Sequence, residues 1–92
     1  MSTKLVTATF DDDDQECGPV FVPKEATATA VITATMTVTP HISASGEPGT
    51  YIEMTDDAKT ATGAWSVIGP CYVKLVSSNN SSGGADCEIL AI

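Results

Sequence analysis

The 92-residue chain has no arginine, and its only cations besides His41 are Lys4, Lys24, Lys59 and Lys74. Phosphate backbones and anionic membrane surfaces are held by clustered Lys and Arg. Four scattered lysines in a chain of net charge −8 therefore exclude direct nucleic-acid binding and membrane-surface binding from the expected functions. Aromatics are equally scarce: Phe10, Phe21, Tyr51, Trp65 and Tyr72. Alanine is the commonest apolar residue, and burying it removes little area at about 25 cal/mol per Å². A small domain with so thin a core calls for a staple, a metal or a partner subunit, and a partner, as a homo-oligomer (dimer or trimer), is the expectation. No apolar run approaches the ~20 residues of a membrane span. The N-terminal M-S-T-K-L-V-T-A-T-F lacks the apolar run of a signal peptide and soon meets four aspartates, which predicts a protein made and kept in the cytoplasm unless it leaves within a larger assembly. Cysteines are three, Cys17, Cys71 and Cys87. That odd number, without a secretory signal, reads as reduced, buried thiols; a Cys71–Cys87 pairing across a hairpin is the alternative.

Signals for chemistry are absent too. There is no G-x-S-x-G, no H-E-x-x-H, no C-x-x-C and no Gly-rich phosphate loop. His41 has no partners at the spacing of a zinc site or a triad and reads as a surface or strand-end histidine. A non-enzymatic protein without a cofactor is expected.

What is present is β-structure. From Ala26 to Thr39 the chain reads A-T-A-T-A-V-I-T-A-T-M-T-V-T. Ala26, Ala28, Ala30, Ile32, Ala34, Met36 and Val38 fall on one face, and Thr27, Thr29, Val31, Thr33, Thr35, Thr37 and Thr39 on the other. Period-2 alternation of stiff, β-branched residues predicts a strand with one buried face. Unbroken, it would reach about 46 Å, too long for this chain to cover by itself. Pro40, with no N–H for a ladder, is expected to end it. The Thr-bearing face, Thr27, Thr29, Val31, Thr33, Thr35 and Thr37, is the candidate interface, since an uncovered strand invites pairing with another chain.

Weaker alternation places strands at Thr3–Phe10, Val20–Val22, Tyr51–Met54, Lys59–Thr62 and Ala64–Ile68. Trp65 is expected to anchor the core, with an exposed ligand-stacking role as the alternative. Cys71–Ser77 and Asp86–Ile92 read as a C-terminal hairpin around a flexible loop, Ser78–Gly84. His41–Thr50 reads as a loop. No window carries helical periodicity behind a cap. The predicted fold is all-β: an antiparallel β-sandwich or small barrel of about seven strands in a single domain, residues 1–92, with no substantial helix. The run Asp11-Asp12-Asp13-Asp14, followed by Glu16, is expected to be a solvated loop, because adjacent carboxylates repel. These five carboxylates are also the one candidate Ca²⁺ site, although their spacing is not that of an EF-hand.

The stretch T-G-A-W-S-V-I-G-P-C-Y-V-K-L-V, Thr62 to Val76, resembles small virion structural proteins of tailed bacteriophages. Gly63, Trp65, Gly69, Pro70, Lys74 and the Ser/Asn/Gly segment after Val76 carry the likeness, over about a third of the chain. The resemblance implies a capsid decoration (cement) protein on the virion surface, made in the host cytoplasm, with the major capsid protein or another virion protein as partner. The competing reading is a carbohydrate-binding β module of a phage tail or cell-surface protein, with Trp65, Tyr51 and Tyr72 as stacking residues.

Overall fold

A computed structural model describes residues 3–92. The chain runs β1 (Thr3–Phe10), β2 (Glu16–Val22), β3 (Glu25–Ser43), β4 (Ile52–Glu53), a 3₁₀ turn (Thr55–Asp57), β5 (Gly63–Ile68) and β6 (Cys71–Ala91). All pairings are antiparallel, and the expected all-β, barrel-like fold is what forms.

The expected C-terminal hairpin does not form. Its two strands and the segment between them are one continuous strand, β6, which pairs with β3 from Ala26↔Ala91 to Ser43↔Tyr72. Ser78–Gly84 is part of this ladder, with Thr37 opposite Ser78 and Thr33 opposite Gly84. Ser, Asn and Gly favour turns when nothing else claims their backbone, but here β3 offers partners to Ser78, Ser81, Ser82 and Gly84. The fit is close at Gly83, where a Cβ would stand 2.3 Å from the Thr35 carbonyl oxygen.

β3 and β6 both bend midway. Ala34 and Asn79 take left-handed conformations, φ 56° and 52°, and the register slips at Thr35, which faces both Ser81 and Ser82. The bend divides the sheet into two halves. The first is β1–β6–β3–β5, where β1 pairs with β6 from Thr3↔Ala91 to Phe10↔Ala85 and β5 pairs with β3 from Glu25↔Ile68 to Ala30↔Gly63. The second is β2–β6–β3–β4, where β2 lies against β6 from Glu16↔Val76 to Val22↔Cys71 and β4 against His41 and Ile42. Bulges and bends are how strands pass from one packed sheet to another.

Two further expectations change. Pro40 does not end β3, which continues to Ser43. The Pro40 carbonyl accepts from the Met54 amide (2.9 Å), so its missing N–H lies on the thin β4 side and costs the β6 ladder nothing. The loop predicted from His41 accordingly starts after Ser43. Lys59–Thr62 is no strand; it contributes a single bridge, Lys59 to Val38.

The alternation of β3 does what was expected in its first half. Ala26, Ala28 and Ala30 are fully buried, as are Met36 and Val38 beyond the bend. Small residues suit this position because large ones oppose them: Ala28 lies between Trp65 of β5 and Ile89 of β6. Phe10, Val22, Val67, Val73 and Leu75 complete the core. Trp65 is 9% exposed, and its indole N–H donates to the Asp57 carbonyl (2.6 Å).

Both edges of the long strand therefore find partners within the chain. β6 borders it on one edge, and β5, Lys59 and β4 on the other. The accessible surface, 5066 Å², matches the ~5,000 Å² expected of a compact monomer of this mass. The radius of gyration, 12.1 Å, matches the ~12 Å expected for the length. The inference that strand length alone demands a partner is corrected: it assumed a straight strand, and this one bends at Ala34.

Candidate functional surface

The acidic run forms the corner between β1 and β2, an exposed turn as expected. Its backbone is fastened to β6. Ser77, fully buried, accepts from the Gln15 amide (3.0 Å) and donates to the Asp12 carbonyl (2.6 Å) through its hydroxyl. Its own backbone exchanges bonds with Asp14 and Gln15. The Asn80 amide donates to the Asp13 carboxylate (2.7 Å), and the Gln15 side chain bonds the Asp11 carboxylate and the Asp11 and Asp12 amides. The four aspartates remain exposed. Glu16 pairs with Lys74 instead (2.7 Å). No group of three or more His, Cys, Asp or Glu able to hold a metal occurs among the described residues.

The bend separates the candidate interface residues. Thr27, Thr29 and Val31 lie on the outer face of the first half-sheet, Thr33 at its upper margin with its hydroxyl on the Gly84 carbonyl, Thr35 at the bulge, and Thr37 on the second half. Across the first face the rows are Ser66–Thr27–Leu90, Ala64–Thr29–Glu88–Thr7 and Val31–Asp86–Thr9. A shallow groove of about 340 Å³ runs along it, lined by Thr7, Thr9, Thr29, Val31, Asp86 and Glu88 among others. Val31, Ile68 and Ile92 are 53%, 69% and 62% exposed, and strand alternation puts all three on this side.

The outer face of the second half-sheet is partly covered by the chain itself, with Phe21 of β2 left 46% exposed. The segment between β3 and β4 folds over it, so that Gly46 lies flat on the Tyr72 ring, where a Cβ would be 2.8 Å away. The Lys74 ammonium sits 4.7 Å from the Tyr51 ring centroid. Tyr72 also packs on Phe21, centroids 5.1 Å apart. Beside this cover is a groove of about 480 Å³ lined by Glu16, Pro19, His41, Pro48, Tyr51 and Lys74 among others. Burial lowers the His41 pKa, partly opposed by Glu53. The histidine's charged surroundings are Glu53, Lys74 and Glu16.

Trp65 lies in the core, so its alternative as an exposed stacking residue is corrected, while Tyr51 and Tyr72 are half-buried. The three thiols are free and buried. Burial pushes Cys17 up to about 11 and Cys87 up to about 12, and raises Cys71 as well. Such thiols stay protonated and unreactive near neutrality.

Sequence reading found the Thr face but not its partition, nor the Lys74–Glu16–Tyr51 cluster. These depend on which strands become neighbours, and no local signal carries that. No protein-family model and no curated protein sequence matches this chain.

Proposed function

We propose that the chain is a non-enzymatic structural protein, a decoration protein that binds and stabilises the outer shell of a tailed-phage capsid. Its contact surface is the outer face of β1–β6–β3–β5. One observation carries this reading: the chain's own loop lies across Tyr72 on one outer face, where Phe21 stays 46% exposed, while the other face has no such cover and bears Val31, Ile68 and Ile92 amid threonines. Exposed aliphatics at both ends of one uncovered face, Ile68 and Ile92 beside Glu25 and Val31 beside Asp86, mark an interaction surface. The resemblance of Thr62–Val76 to phage virion proteins supplies the particle.

Four strands ~4.8 Å apart, over about seven residues at ~3.3 Å each, give a face of roughly 400 Å². A standard interface buries about 800 Å² per partner. A single copy therefore holds weakly, which suits a shell that presents the same site many times.

The test is co-sedimentation of the purified chain with purified empty shells from a panel of tailed phages. Binding to one shell type is expected, lost in Thr29→Asp and Val31→Asp variants whose circular dichroism is unchanged. Failure on every shell, or equal binding by the variants, overturns the reading.

A further inference from the structure

The bare face combines two features that conflict unless a partner resolves them. Val31, Ile68 and Ile92 favour burial, yet Asp86 and Glu88 stand two residues apart on the same side of β6, in the middle of the face. Glu25 stands between Ile68 and β6, paired in register with Ile68. The cation at this face is Lys4, 3.9 Å from Glu88, at the β1 margin and 62% exposed. Asp86 is held by the Thr9 hydroxyl at 3.1 Å, an uncharged donor. A partner that closes over these aliphatics removes water from both carboxylates, and a buried carboxylate must be paired.

We infer that the partner of this face is a protein surface presenting Lys or Arg opposite Asp86 and Glu88, with small or β-branched residues around them. This rests on the assembly reading above and names the chemistry of its partner. A second copy of this chain does not fit. It would bring three more carboxylates and one more lysine to the same contact, and like charges face to face oppose association. The alternation of hydroxyl, carboxylate and aliphatic across the rows matches a cationic sheet or extended segment whose side chains alternate in the same period.

The probe is a capped twelve-residue peptide of alternating Lys and Thr, with its Glu–Thr counterpart as control. Each is titrated into the full ¹⁵N-labelled chain and followed by amide chemical shifts. The Lys–Thr peptide is expected to shift Thr7, Thr9, Thr29, Val31, Asp86 and Glu88 saturably, and the Glu–Thr peptide to shift none of them. The D86N/E88Q variant is expected to weaken Kd roughly three- to tenfold, as loss of two exposed ion pairs does. D12N/D13N, the same charge change at the β1–β2 corner, should leave Kd within about twofold if the carboxylates on the face act locally. Single Asp86→Asn serves if the double variant misfolds, with a smaller weakening expected. Equal losses from both pairs of substitutions overturn the inference, because binding would then follow net charge alone. So do shifts centred on Asp11–Asp14, and so do concentration-dependent shifts of the face without peptide, which indicate a second copy. If shells bind and D86N/E88Q binds them equally, this inference fails and the assembly reading stands. If no shell binds while the peptide maps to the face, the assembly reading fails and the cation preference stands.

Discussion

Replacing Ser77 by Ala tests whether the acidic corner is a built joint. The hydroxyl makes two bonds, from the Gln15 amide at 3.0 Å and to the Asp12 carbonyl at 2.6 Å. Asp12 is exposed, so water recovers its carbonyl. The Gln15 amide is half-buried and loses its partner. Two bonds at about 1 kcal/mol each, with an unsatisfied buried donor costing about 1–3 kcal/mol, put the loss near 2 kcal/mol. Removing one oxygen leaves almost no cavity, so packing adds little. For a domain of this size that shifts Tm down by about 8–15 °C. Urea unfolding followed by Trp65 fluorescence measures it, with the midpoint expected to fall and the slope unchanged. Ser78→Ala, one residue along and on the other side of the strand, is expected to stay within about 0.5 kcal/mol. If Ser77→Ala behaves like Ser78→Ala, the corner is not fastened through this hydroxyl, and Asp11–Asp14 is the free solvated loop its composition describes.

Four other outcomes follow from the same structure. Ala34→Gly is expected to hold or raise stability by up to about 1 kcal/mol, since an alanine at φ 56° carries left-handed strain that glycine lacks; thermal unfolding checks it, and a clear loss would show that the bend is set otherwise. Gly83→Ala, by contrast, drives a Cβ to 2.3 Å from a backbone oxygen and is expected to cost about 3 kcal/mol or more in the same assay. His41 has its pKa lowered from 6.5, chiefly by burial, so the unfolded chain binds the proton more readily; its contribution is fully present above pH 6.5 and is lost as pH falls below it. Urea midpoints between pH 7.5 and 5.5 should therefore slope less in His41→Asn, and an unchanged slope would refute the assignment. With Cys17 and Cys87 raised to about 11 and 12, none of the three thiols is expected to react rapidly with Ellman's reagent at pH 8 before unfolding; a stoichiometric burst from native protein would contradict their burial.

The alternation of Ala26–Ala30 against Thr27 and Thr29 was legible because a pleated strand sends neighbours to opposite faces whatever it pairs with. Absence of helix, the buried Trp65 and the reduced thiols were legible for similarly local reasons. Asp11–Asp14 is the exposed turn its composition describes, whereas Ser78–Gly84 misled because its composition favours turns in isolation and it was read without its partners. In the fold they meet: Asn80 and Ser77 of β6 hold the backbone of Asp11 to Gln15.

By itself, then, the amino-acid order determined the class of structure, the side of β3 that turns inward and the acidity of the exterior, all properties of residues within a strand or of the whole composition. Only the tertiary structure decided that β6 is one bent strand, that β3 turns at Ala34, and that one outer face is partly roofed by the chain's own loop while the other is not. Strand pairing joins residues far apart in the chain, and the competition between a local turn and a distant ladder partner is settled only when that partner arrives.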